Sequence, residues 1–183
     1  NTANKADLDQ VGGSFSTTTL ANSTIQVNND LDLLFFKKNI TISGEATDDL
    51  GILFEHLFNQ ITTVVNATAT GYTVDAITAN LTTTTGTVTL NFLDKTILRS
   101  GTVKNTPLTF STAGSIGSAT PIVVNAASGG PLLSISSLKI GPLTMGSVGS
   151  PIRPFSNVIL EPGTKYNLNL MIVPNDEIID DHL

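Results

Sequence analysis

The chain has no cysteine and no tryptophan, two tyrosines and two histidines, and charged side chains are only 13% of its 183 residues. Each shortage removes a class. Without cysteine there is no disulfide scaffold, no thiolate metal site and no thiol catalysis. Nine Lys and Arg stand against fifteen Asp and Glu, for a net charge of −6; this leaves no basic footprint for a nucleic-acid backbone, and no nucleic-acid partner is expected. No apolar run reaches the roughly eighteen residues of a membrane-spanning helix. The opening Asn1-Thr2-Ala3-Asn4-Lys5 carries no hydrophobic signal core, as expected for a mature chain or an expressed segment, with any lipid-bearing Cys upstream of it.

Hydroxyls and amides replace the missing charges: 27 Thr, 15 Ser and 16 Asn. The chain is nonetheless 40% hydrophobic, enough for a packed core. Thr is β-branched, loses χ1 freedom in a helix and packs well on a pleated, half-wet surface. This is the composition of an extracellular all-β protein.

Strand signals begin at Ile25. Asp32-Leu-Leu-Phe-Phe36 is a short continuous apolar run that predicts a strand buried on both faces. Leu50 to Ile61 is ambiguous: apolar residues at 50, 53, 54, 57, 58 and 61 fit an amphipathic helix. Read as strands, the same residues put Ile52, Phe54, His56 and Phe58 on one face, with a turn over His56–Gln60 and a strand over Ile61–Asn66. Strands then recur every eight to twelve residues or so with turn residues between them. A small-residue loop is expected over Ser111–Ser118, and Leu132–Ile140 alternates. The last strand, Lys165 to Val173, follows a Glu161-Pro-Gly-Thr164 turn. The prediction is a single β-sandwich of about seven to nine strands spanning 25–173. A flexible or extended lead-in over 1–24 precedes it, and an acidic tail, or linker to a second domain, over 174–183 follows.

Chemistry is sparse. A Ser/His/Asp triad needs His56 or His182, and no Gly-x-Ser-x-Gly elbow accompanies either. His56 lies in an apolar run and reads as a structural histidine before a general base; His182 reads as a solvated terminus before a metal ligand. Asp48-Asp49 and Asp180-Asp181 decorate turns, and Asp7-Leu8-Asp9 supplies too few oxygens for calcium. No catalytic residue, metal or cofactor is expected. Tyr72 is the one candidate for stacking on a sugar. Asn22, Asn39, Asn66 and Asn80 head Asn-x-Ser/Thr acceptor triplets.

Four motifs occur in order: Asp32-Leu-Leu-Phe35 with Phe54-Glu-His56 and Asn59-Gln-Ile-Thr-Thr-Val-Val65; Thr85 to Leu90; Thr120 to Val124; and Leu160-Glu-Pro-Gly-Thr-Lys-Tyr-Asn-Leu-Asn-Leu170. Together, over about residues 31–173, they resemble the fimbrillin family of Bacteroidetes surface pilins. Asn59 and Gln60 stand where that family commonly has Ser or Ala and Lys. The resemblance implies a transthyretin-like sandwich forming one domain of a pilin on the cell surface or an outer-membrane-associated fimbrium. It also implies a lipoprotein precursor, with other fimbrial subunits as partners through strand exchange. The candidate groove for a donated strand is Leu33, Phe35, Ile52, Phe54, Leu168 and Leu170; His56, Gly163 and Tyr166 are implied as structural motif residues. The family's arginine-directed maturation has no early Arg to act on, the first being Arg99. The alternative is a glycan- or host-receptor-binding module on the same kind of fold.

Overall fold

Polar and apolar residues alternate along much of the chain, and a pleated backbone sends successive side chains to opposite faces. The computed structural model describes residues 24–28, 32–39, 44, 49, 51–124 and 131–174, with the backbone alone for 24–28, 83–88 and 99–102. Apart from Thr24 and Pro174, the expected lead-in and tail lie outside the described residues, with Asn22 and His182.

Among the described residues the chain is all-β, with twelve strands and a single 3₁₀ turn at Thr68–Thr70. The strands are β1 Thr24–Asn28, β2 Leu34–Phe35, β3 Glu55–His56, β4 Asn59–Asn66, β5 Val74–Asn91 and β6 Ile97–Pro107. There follow β7 Phe110–Ala113, β8 Ile116–Ala119, β9 Ile122–Val124, β10 Leu133–Ile140, β11 Leu143–Met145 and β12 Lys165–Met171.

The 18-residue β5 organises one sheet. Antiparallel β6 lies along one of its edges; β10 and then β1 occupy the other, with β11 outside β10. A second sheet is built on β4, which pairs in parallel with β12 on one side and antiparallel with β9 and β8 on the other, β7 lying beyond β8. β2 and β3 form a separate two-stranded ribbon. Ile61, Val65 and Leu168 from the β4 sheet meet Leu81, Leu133 and Ile135 from the β5 sheet in one buried cluster. The two larger sheets thus close on a shared apolar interior. A second cluster of Phe35, Leu57, Phe58 and Leu90 sits where the ribbon meets the far end of β5.

The β5–β6 turn docks on that ribbon. Asn91 Oδ1 accepts the Leu93 N–H at 2.8 Å, and Asp94 Oδ1 accepts the Thr96 N–H at 2.9 Å. From this turn Lys95 reaches Glu55 at 2.6 Å, and its ammonium lies 6.0 Å from the Phe35 ring centroid. Lys37 donates to the Leu93 carbonyl, and Phe35 and Phe92 pack with ring centroids 6.3 Å apart.

Several expectations are corrected. Asp32–Phe36 is not a strand buried on both faces: only Leu34 and Phe35 pair, and Leu34 is exposed, because the two-residue ribbon is covered on one side. Ser111–Ser118 is not a loop but the tight hairpin of β7 and β8, turning at 114–115. The strands also exceed the seven to nine expected, because β7, β8 and β9 divide a stretch of short signals. Of the two readings of this segment, the extended one holds over 51–61, but the turn expected over His56–Gln60 and the shared face of Phe58 with Ile52, Phe54 and His56 do not: the chain bends at Phe58, burying the consecutive Leu57 and Phe58 while Ile52, Phe54 and His56 stay exposed, and β4 starts at Asn59 and alternates strictly.

Candidate functional site

β4 alternates so that Asn59, Ile61, Thr63 and Val65 face inward. The first of these fixes the last strand. Asn59, 1% exposed, donates its side-chain amide to the Glu161 carbonyl at 2.5 Å and the Thr164 carbonyl at 3.4 Å. The Glu161–Thr164 turn is therefore tied to the start of β4. Tyr166 Oη closes it from the other side, accepting the Glu161 N–H at 2.7 Å. Gly163 holds φ +71 with its Cα packed on the His56 carbonyl, where a Cβ would collide with that oxygen. A glycine is needed there for both reasons.

From this anchor β12 runs parallel to β4 in unbroken register, Lys165 opposite Gln60 through Met171 opposite Asn66. The Ile172 N–H donates to the Asn66 carbonyl at 2.8 Å, so even-numbered residues direct their backbone groups at β4. The N–H and C=O groups of Lys165, Asn167, Asn169 and Met171 then face away. Among the described residues no strand pairs with that outer edge. Leu168 is buried, and Tyr166 and Leu170 pack on the main cluster, whereas Asn167, Asn169 and Met171 are exposed. β12 is an edge strand with one apolar face already seated on the core.

His56 stands beside the anchor. Its Nδ1 is 3.0 Å from both Asp32 carboxylate oxygens, and the pair is solvent-accessible, with side chains 60% and 36% exposed. They border a cavity of about 170 Å³ that also touches Gln60, Gly163, Thr164 and Lys165. The described residues give His56 a carboxylate partner and no hydroxyl partner, so they assemble no nucleophile–base pair there.

The six candidate groove residues fall in three places. Leu33 and Phe35 belong to the cluster under the ribbon. Leu168 and Leu170 belong to the main interior. Ile52 and Phe54 are each 56% exposed, Phe54 standing edge-on to Phe36 with ring centroids 6.1 Å apart. His56, Gly163 and Tyr166, by contrast, converge on the Glu161–Thr164 turn. Tyr72 is half-exposed beside Gly141. Asn59 was legible only as a motif departure; its signal was an amide at the first inward position of an alternating strand.

No protein-family model matches the chain, and a comparison with curated proteins returns none. Among solved structures, the chain is similar to a candidate cell adhesion protein of Bacteroides uniformis, at 19% identity and a TM-score of 0.47 over 82% of this chain and 61% of that one. It is also similar to a candidate cell adhesion protein of Bacteroides thetaiotaomicron, at 10% identity and a TM-score of 0.43 over 84% of this chain and 65% of that one. The chain spans less than two thirds of the length of either.

Proposed function

We propose that this chain is a non-enzymatic structural or accessory subunit of a bacterial surface fimbria, assembling through β-strand exchange with other subunits and contributing to adhesion. The observation that carries the proposal is the outer edge of β12, seven residues long, without a register break and paired with no strand among the described residues. Such an edge offers backbone hydrogen bonds to an incoming strand, while alternate side chains set its register. β6 is also an outer strand, but its pairing with β5 shifts register twice and it ends at Pro107, features that blunt an edge. The motifs resembling fimbrillins support the same proposal, since His56, Asn59 and the Glu161–Thr164 turn meet at the start of β12.

Asn169→Pro tests it. The Asn169 N–H faces away from β4, so proline removes an edge donor and leaves the β4 pairing in place. The wild type should form concentration-dependent, strand-paired oligomers by light scattering, and Asn169→Pro should stay monomeric with nearly unchanged melting. Oligomers that form equally in both would overturn the proposal, as would family terminal-strand peptides that neither bind the wild type nor raise its melting temperature.

A further inference from the structure

A second polar concavity lies on the other large sheet. Along β10, Leu133 and Ile135 face the interior, so Ser134 between them points to the opposite side, yet it is only 8% exposed. The segment after β11 encloses it. Gly146, at φ +78, passes so close to β10 that a Cβ would lie 2.9 Å from the Ile135 carbonyl. Ile152 and Ile135 exchange both backbone hydrogen bonds at 2.9 Å, and Ser147 and Ser150 close the intervening turn with reciprocal bonds of 3.1 and 3.2 Å. The result is a cavity of about 400 Å³ whose polar lining is Asn80, Thr82, Asn105, Ser134, Ser136 and Arg153, within the usual size range of small-ligand sites. β-bulges flank it, with register shifts between Ile135 and Ser137 and between Leu81 and Thr84; bulges re-aim side chains beside binding sites.

The donors and acceptors in this lining define a ligand. Two hydroxyls already donate to main-chain carbonyls, Thr82 to Pro131 and Ser136 to Thr78, and keep their acceptor capacity. Among the described residues, the side chains of Asn80, Asn105 and Arg153 have no hydrogen-bond or ion-pair partner. Among the described residues, no carboxylate and no aromatic ring lines the cavity, and Arg153 is one of only two arginines in a chain of net charge −6. A guanidinium calls for a carboxylate or similar oxyanion at one end; the amides and hydroxyls call for a partner that both donates and accepts. The absence of an aromatic platform disfavours ligands held by ring stacking.

We infer that this cavity binds a carboxylated sugar, with Arg153 on the carboxylate and Asn80, Asn105 and Ser134 on the ring hydroxyls. It lies on the β5 sheet, away from the β12 edge, so its failure and that of the assembly proposal are separately readable. The test is an amide chemical-shift titration with glucuronic acid and N-acetylneuraminic acid, beside neutral glucose and sodium sulfate. At least one acid should perturb residues 80, 105, 134, 136 and 153 and bind more tightly than glucose. Arg153→Gln should weaken binding about tenfold or more with unchanged melting, and Asn105→Ala, on exposed β6, should weaken it less. The assignment is overturned if neither acid perturbs these amides, if glucose binds as tightly as the acids, or if sulfate reproduces the same perturbations at the same affinity. It is equally overturned if neither folded variant loses affinity.

Discussion

The side-chain amide of Asn59 donates to the main-chain carbonyl of Glu161, 102 residues further along the chain. That bond, with the one to Thr164, sets where β12 begins against β4. Asn59→Ala removes both of these part-buried bonds and empties the space of a buried amide, at an expected cost of about 1–3 kcal/mol in urea unfolding. A wild-type midpoint in Asn59→Ala would mean that the apolar face of β12 alone fixes the register.

Gly163→Ala should destabilise by more than about 1 kcal/mol. A left-handed backbone costs roughly 1–2 kcal/mol for a residue with a Cβ, and the added carbon collides with the His56 carbonyl. Thermal melting measures the loss; a shift smaller than that seen for Gly149→Ala, where the added carbon meets nothing, would contradict it.

Removing Thr63's hydroxyl should help. Its Oγ1 is buried without a hydrogen-bond partner among the described residues, and an unsatisfied buried hydroxyl costs on the order of 1–3 kcal/mol. Thr63→Val keeps the shape and β-branching and should raise stability by about 1 kcal/mol, read from the denaturant midpoint.

The β5–β6 turn is held to the ribbon by burial more than by charge. The Lys95–Glu55 pair is exposed on both sides, and such pairs contribute about 0–1 kcal/mol. Phe35 is buried against Leu57, Phe58 and Leu90, and Phe→Ala in a core costs roughly 3–5 kcal/mol. Phe35→Ala should therefore destabilise several times more than Lys95→Met, and high salt should affect neither difference much.

Asp94 gives the turn an acid limit. The backbone hydrogen bond from Thr96, joined by the Thr96 hydroxyl, holds its carboxyl below the usual carboxylate value. A depressed folded-state pKa means the contribution is present above the unfolded-state value and is lost as pH falls through the lower folded-state one. Side-chain carboxyl NMR should show Asp94 titrating below an ordinary aspartate, and Asp94→Asn should remove that acid-range dependence while preserving the fold at neutral pH.

How far the sequence discloses this molecule follows from what alternation encodes. A period of two tells which face of a strand is inward, and the inward positions of Ile61, Val65 and Leu168 were readable on that basis. It does not tell which strand lies alongside, so the parallel pairing of β4 with β12 was invisible. Where the period slips, the reading slips as well. Leu57 and Phe58 are buried consecutively because the chain bends, and β10 shifts register between Ile135 and Ser137, which the alternation expected over Leu132–Ile140 does not reveal. The groove residues Ile52 and Phe54 were grouped with Leu33 as inward positions of neighbouring strands, and tertiary packing separates them. The convergence of His56, Gly163 and Tyr166 came from matched motifs and depends on Asn59, an amide whose partners are main-chain carbonyls that no side-chain pattern marks.

The parallel alignment of β12 on β4 also imposes an order on biosynthesis. β4 emerges from the ribosome about a hundred residues before its partner, so the nascent chain carries one unfilled margin of its central strand while β5 through β11 are made. Closing so long a loop is slow compared with hairpin formation. Until Lys165 to Met171 arrive, the hydrogen-bonding groups that β12 will occupy are open to any extended segment nearby.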